Sequence, residues 1–158
     1  MKKISLVLAL LFLSFHSYSQ DKPNNVRLFE LQKKKVEIDI SADVFTSVYH
    51  NMYVSKNPDA LILGVFLPIS YDNQKVKLSS APKTTGMEFK GEITLNNEKV
   101  LWVSGTIIKK GIEFNKHKYY IKQEHNTCIE LTTMLAVTAD AKEQNMVMDI
   151  VNSVIDKN

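Results

Sequence analysis

From Met87 to Val137 apolar residues recur at every second position, the period of strands that bury one face. Met87, Phe89, Gly91, Ile93 and Leu95 fall on one side, with Glu88, Lys90, Glu92 and Thr94 on the other. Asn96-Asn97 can supply the positive φ angles of a two-residue hairpin turn. That turn sets Leu95 opposite Glu98, Ile93 opposite Val100 and Gly91 opposite Trp102. Trp102 then lies over a bare glycine, a cross-strand cover from which a strand glycine benefits. Further on, the pattern predicts a short strand over Ile107 to Phe114 around a break at Gly111, and a turn at Asn115-Lys116-His117. Strands over Lys118 to Glu124 and Thr127 to Val137 follow, separated by a turn at His125-Asn126.

After Val137 the period changes. Val147, Ile150, Val151 and Val154 follow helical spacing, and Met146 widens the stripe. Asp140 as N-cap with Glu143 three residues on reads as a capping box, so the spacing predicts an amphipathic helix from about Ala141 to Ile155.

The first half is harder to read. Val26 to Gln32 fits a short helix or a strand, and Ala42 to Val54 fits either period. Val36, Ile38 and Ile40 alternate with Glu37, Asp39 and Ser41, which predicts a half-buried strand. Asn57-Pro58-Asp59 is a turn, and Ala60 to Leu67 is a nearly continuous apolar run of strand length, expected in the middle of a sheet. Ser70 to Gly86 reads as a long polar connection with one helical turn. No internal repeat and no second domain is visible. The expected fold class is α+β: an antiparallel sheet of five or six strands with the carboxy-terminal helix on its apolar face. Phe89, Ile93, Val100, Trp102 and Val151 are expected in that core.

The meander of GEITLNNEKVLWVSG, KYYIKQ and CIELTTMLAV, closed by MVMDIVNSVI with its Asn152-Ser153 pair, resembles the carboxy-terminal half of PsbP-like domains. These are small α/β sandwiches of exported and photosynthetic proteins. The resemblance spans about residues 60–156 and rests on element order. The helix such domains carry in their first half has no counterpart in the reading above. The resemblance implies a binding or accessory role and brings no catalytic residue with it.

The amino terminus has a different character. Lys2 and Lys3 precede an apolar stretch from Ile4 to Phe15, and Ser17 and Ser19 stand at −3 and −1 of a cut before Gln20. Residues 1–19 therefore read as a cleaved signal peptide, residues 20–25 as a mobile leader and residues 26–158 as one domain. The stretch is shorter than the roughly 20 apolar residues of a membrane span, and no cysteine at the cut would carry a lipid anchor. The expected location is periplasmic or secreted, without a membrane anchor. Without Lys2 and Lys3 the 20 basic residues become 18 against 17 acidic ones, no footprint for nucleic acid. Lys33-Lys34-Lys35 reads as a solvated turn.

Four groupings could carry chemistry. His125 lies three residues before Cys128, but on a strand an odd separation sends two side chains to opposite faces. Cys128 is expected as a small buried hydrophobe and His125 as a turn residue. His50, His117 and His125 lack metal-ligand spacing, and His117 and His125 stand near opposite ends of one predicted strand. Ser80-Ala81-Pro82-Lys83 matches SxxK, but the KTTG that should lie on a distant strand overlaps it. Glu88 and Glu92 share a predicted face with Lys90 between them, which would hold both ionised. No catalytic, metal or cofactor residue is assigned, and no cofactor is expected. The sequence predicts a non-enzymatic binding or accessory protein for a protein or small-molecule partner in the cell envelope. The alternatives are a β-rich carrier of a small apolar ligand and a small hydrolase using Ser80 or Cys128.

Overall fold

A computed structural model describes residues 29–81 and 86–158. The predicted signal peptide and its cut, the leader, Val26 to Leu28, and the Lys83 of the SxxK match lie outside the described residues. Seven strands form one antiparallel sheet where the sequence pattern suggests five or six. They are β1 (Thr46–Tyr49), β2 (Met52–Lys56), β3 (Asp59–Leu67), β4 (Met87–Leu95), β5 (Glu98–Lys109), β6 (Ile112–Lys122) and β7 (Cys128–Ala136). Their spatial order is β1-β2-β3-β7-β6-β5-β4. The apolar run of β3 is thus an interior strand, as its composition predicts.

Among the described residues, helix α1 (Tyr71–Ser80) and helix α2 (Ala141–Lys157) pack on the sheet, and residues 29–32 are also helical, one of the two readings the sequence allowed for Val26 to Gln32. The Asp140 carboxylate accepts from the Glu143 N–H at 2.8 Å, and the Asp140 N–H donates back to Glu143 at 2.9 Å, so the capping box starts α2 where the sequence places it. Val147, Ile150, Val151 and Val154 of α2 pack onto Val100, Tyr119, Ile121, Ile129, Leu131 and Leu135 of the first sheet face. Burying one such aliphatic side chain contributes about 1.5–3 kcal/mol, so this layer dominates stability.

The hairpin register of β4 and β5 is the one the Asn96-Asn97 turn dictates: Leu95 with Glu98, Ile93 with Val100, Gly91 with Trp102. Beyond Gly91 it departs. A bulge leaves Lys90 without a partner, Gly91 takes φ +102°, and Phe89 then pairs with Val103. The extra residue turns Met87 and Phe89 to the opposite face from Ile93 and Leu95. Phe89 belongs to a second cluster with Tyr71, Leu101, Val103 and Tyr120, not to the core under α2. The expectation of one apolar side from Met87 to Leu95 fails there.

Four further expectations are corrected. Asn115-Lys116-His117 is no turn but the middle of β6, paired with Gly105, Ser104 and Thr106 of β5. The turn is Lys110-Gly111, with φ of +51° and +80°, and it joins two long strands where a broken short one was expected. Ser70 to Gly86 contains the ten-residue helix α1, opened by the Ser70 side chain accepting from the Asn73 N–H at 3.3 Å. Val36 to Ile40 makes no strand. It runs as an irregular strap beside α2: the Asp39 N–H donates to Ser153 Oγ at 3.0 Å and the Glu37 N–H to Asn158 Oδ1 at 3.1 Å. Its alternation survives, because Val36 is fully buried against Gly64, where a Cβ would stand 3.2 Å from the valine side chain.

Candidate functional site

The second sheet face is assembled from cross-strand rungs, since directly paired residues point the same way. One rung runs Thr46, Val54, Leu61, Met134, Lys116, Gly105, Met87 across all seven strands. The next runs Met52, Leu63, Thr132, Lys118, Val103, Phe89. A third runs Val65, Glu130, Tyr120, Leu101, Glu92. Helix α1 packs against β4 and β6 and covers the β4–β5–β6 end of this face, with Tyr71, Leu101, Tyr120 and Cys128 buried beneath it. The cluster it closes takes in Leu67 at the end of β3 but no residue of β2. Toward the β2 edge Val54, Leu61, Leu63 and Val65 are only partly buried.

Between the covered and uncovered parts lies a polar seam. Lys118 Nζ donates to Glu130 Oε1 at 2.7 Å, and Thr132 Oγ1 donates to the same oxygen at 3.3 Å. Burial, then the neighbouring Glu130 carboxylate, pushes the Tyr120 phenol well above its ordinary value. At the α1 edge, Tyr71 Oη donates to Glu92 at 3.1 Å, with Lys75 at 3.0 Å and Lys99 at 3.4 Å on the same carboxylate. The Lys75 hydrogen bond is the main cause that holds Glu92 below the ordinary carboxylate range. Lys116, one rung beyond the seam, is lowered by burial and then by the charges of Lys118 and Lys109.

The open part carries a cleft of about 470 Å³ at the β2–β3 and β5–β6 turns. Val54, Leu61, Ile112, Phe114 and Met134 form its apolar wall, with Asp59 at one end and Lys109 and Lys110 at the other. A second cleft of about 580 Å³ opens beside residues 29–33, where His50 Nε2 lies 2.7 Å from the Lys33 carbonyl.

The residues singled out from sequence do not converge. Cys128 is fully buried and its thiol is pushed up to about 12, first by burial and then by Glu130. Such a thiol stays protonated and is a poor nucleophile. His125 sits in the turn at φ +56°, as expected. Ser80 ends α1 with its hydroxyl donating to the Val76 carbonyl at 2.9 Å. The bulge at Lys90 separates Glu88 and Glu92, which were expected on one face: Glu92 pairs with Leu101 on the second face, and Glu88 pairs with Ser104 on the first. Among the described residues no group of three or more His, Cys, Asp or Glu is placed to hold a metal ion. None of the described helices is long and apolar enough to cross a membrane.

One constellation escaped the sequence reading because it depends on the β5–β6 register. Glu88, Ser104, His117 and Thr133 form a single rung on the first face, a carboxylate, a hydroxyl and an imidazole in a row. His117 was expected near a strand end and is mid-strand instead, stacked on Trp102 with ring centroids 5.8 Å apart. Trp102 Nε1 donates to His117 Nδ1 at 3.2 Å. Because indole nitrogen is a donor only, Nδ1 must accept, which leaves the proton of the neutral ring on Nε2. Burial lowers the pKa of His117 and favours that neutral form. A ring so fixed offers Ser104 no free base nitrogen, so the row is a structural one.

A scan against protein-family models finds none that matches the chain, and a search of curated proteins finds no match. Among solved structures, the chain is similar to the crystal structure of LpqN, involved in cell envelope biogenesis of Mycobacterium tuberculosis. The similarity covers 77% of this chain and 80% of that one, at 14% identity and a TM-score of 0.43, too distant to transfer a ligand or a role.

Proposed function

We propose that this is an exported, non-enzymatic binding or accessory protein of the cell envelope that engages its partner through the open part of the second sheet face. The observation that carries the reading is the partly buried apolar strip of Val54, Leu61, Leu63 and Val65 beside the Lys118–Glu130 seam. A sheet whose first face is sealed by α2 gains nothing in stability from leaving such residues wet, and contiguous exposed apolar surface marks an interaction site. The signal-peptide pattern of residues 1–19 supports export. The resemblance to PsbP-like domains points the same way, since that family serves mainly in binding and accessory roles. The engaged Ser80 hydroxyl and the high pKa of Cys128 weigh against the hydrolase reading.

Hydroxyl-radical footprinting tests this by comparing the purified full chain with the chain in intact cells of its source. Protection in cells confined to Leu61, Leu63 and Phe114 is the expected outcome, with the exposed Met148 of α2 unchanged. Equal oxidation of the strip in both settings, or protection centred on Met148, overturns it. Rapid alkylation of Cys128 in the folded chain overturns the non-enzymatic part.

A further inference from the structure

We infer that the 470 Å³ cleft takes a free single-chain amphiphile with an anionic head, its tail across β3, β7 and β6 and its head at Lys109 and Lys110. This rests on the binding reading above and names the ligand class of the same face. The cleft falls within the range of about 300–1,000 Å³ usual for small-molecule sites, which are mostly apolar with a few placed polar groups. Its floor is continuous. Leu61 pairs with Val54 on one side and Met134 on the other, while Phe114 sits one rung on, opposite Ala136. Ile112, still 38% exposed, pairs with Lys109 and carries the apolar surface to the β5–β6 turn.

Charge sets the direction in which such a molecule lies. Asp59 stands at the β2–β3 end opposite Lys56 in the β2–β3 pairing, so that end carries no net charge to draw an anionic head. At the other end Lys109 and Lys110 are exposed, and no described ion pair engages them. Two rungs inward Lys116 faces the same surface, close enough to Lys109 and Lys118 for their charges to lower its pKa. A carboxylate, sulfate or phosphate head bound there would relieve that crowding, and a cationic head would worsen it. The tail needs no hydrogen-bond partner, which matches a wall of Val54, Leu61, Phe114 and Met134.

The test titrates the full chain with laurate, dodecanol and dodecyltrimethylammonium, each below its micellar concentration, by calorimetry and amide NMR. Laurate is expected to bind saturably at one site, at least tenfold tighter than either of the other two. Its shifts are expected to centre on Leu61, Phe114 and Met134. Lys109→Glu combined with Lys110→Asn, where asparagine tolerates the positive φ, is expected to remove that preference. The variant should leave dodecanol binding and the melting temperature unchanged. Leu61→Glu is expected to abolish binding of both. Equal affinity for laurate and the cationic probe overturns the inference, as do shifts on the α2 side or no saturable binding. Binding to anionic phosphatidylglycerol vesicles without binding of monomeric laurate also overturns it in favour of membrane docking. Each of these failures leaves the footprint of the partner reading to be judged by itself.

Discussion

The two faces of this sheet are built from the same strands, yet one is closed and the other is half open. On the first, alternate residues of β3, β7 and β6 meet α2, and Ile62, Ile129 and Leu131 lose all contact with solvent. On the second, the neighbouring residues of the same strands meet α1 only at one end, and a lysine, a glutamate and a threonine interrupt the apolar rungs. Polar residues occur on both faces, Glu88, Ser104, His117 and Thr133 forming a row on the first, so the faces differ in their cover: α2 packs along the apolar rungs of one and α1 meets the other mainly at one end. The contrast puts the best-sealed apolar core on one side and the proposed recognition surface on the other.

Equal truncations on the two faces give the sharpest test. Leu131→Ala is expected to cost about 2–5 kcal/mol in urea unfolding, the range for a fully buried leucine. Leu63→Ala on the open face should cost less, below about 2 kcal/mol, since its side chain is only partly buried. Equal losses would break the comparison. The polar seam comes next. Lys118→Met strips the Glu130 carboxylate, whose side chain is 17% exposed, of its cation, for an expected loss of about 1–3 kcal/mol. Adding Glu130→Leu should recover most of it, because a buried ion pair exchanged whole for apolar groups is close to neutral. A double variant as weak as the single one would show that the seam holds the fold rather than interrupting it.

The smallest effect is in pH, and it separates the faces by window. His117 on the first face has a folded pKa below its ordinary 6.5 because of burial, so its contribution is present above that value. It is lost as pH falls through the lower folded value, where protonation also removes the acceptor for the Trp102 N–H. Glu92 on the second face is likewise lowered, chiefly by Lys75, and its contribution fades only below the ordinary carboxylate value of 4.5. Melting temperature against pH should therefore dip in two steps. His117→Gln should remove the upper one and Glu92→Gln the lower. A variant that removes the other face's step refutes the assignment.

Much of the sealed face was legible in the sequence. The Asn96-Asn97 turn, the alternation of Ile93, Val100 and Trp102, and the i, i+3, i+4 spacing of α2 are local signals, and local physics decides them. The bulge at Lys90 was not legible, since one extra residue leaves no trace in composition beyond a glycine with several other possible uses. Helix α1 was hidden because only Tyr71 and Gln74 are buried in it, which leaves no apolar stripe to read. The polar run Asn115-Lys116-His117 looked like a turn because its strand borders the open face and the Trp102 stack, where polar residues are tolerated. Of the candidate site only the apolar run of β3 could be seen. That the second half of its neighbours stays uncovered depends on where α1 stops, and no short stretch of sequence records that.

The strap has a consequence for how the molecule assembles. Its backbone donors are satisfied by Ser153 and Asn158, residues 114 and 121 positions away. Val36 is held from within the first half, its N–H donating to Asn51 Oδ1 at 3.0 Å, whereas Glu37 and Asp39 depend on the end of the chain. The strap therefore completes its hydrogen bonds only when α2 is in place, although its residues precede α2 by more than a hundred positions. Closure of this protein is a long-range event, the kind of contact that slows folding most.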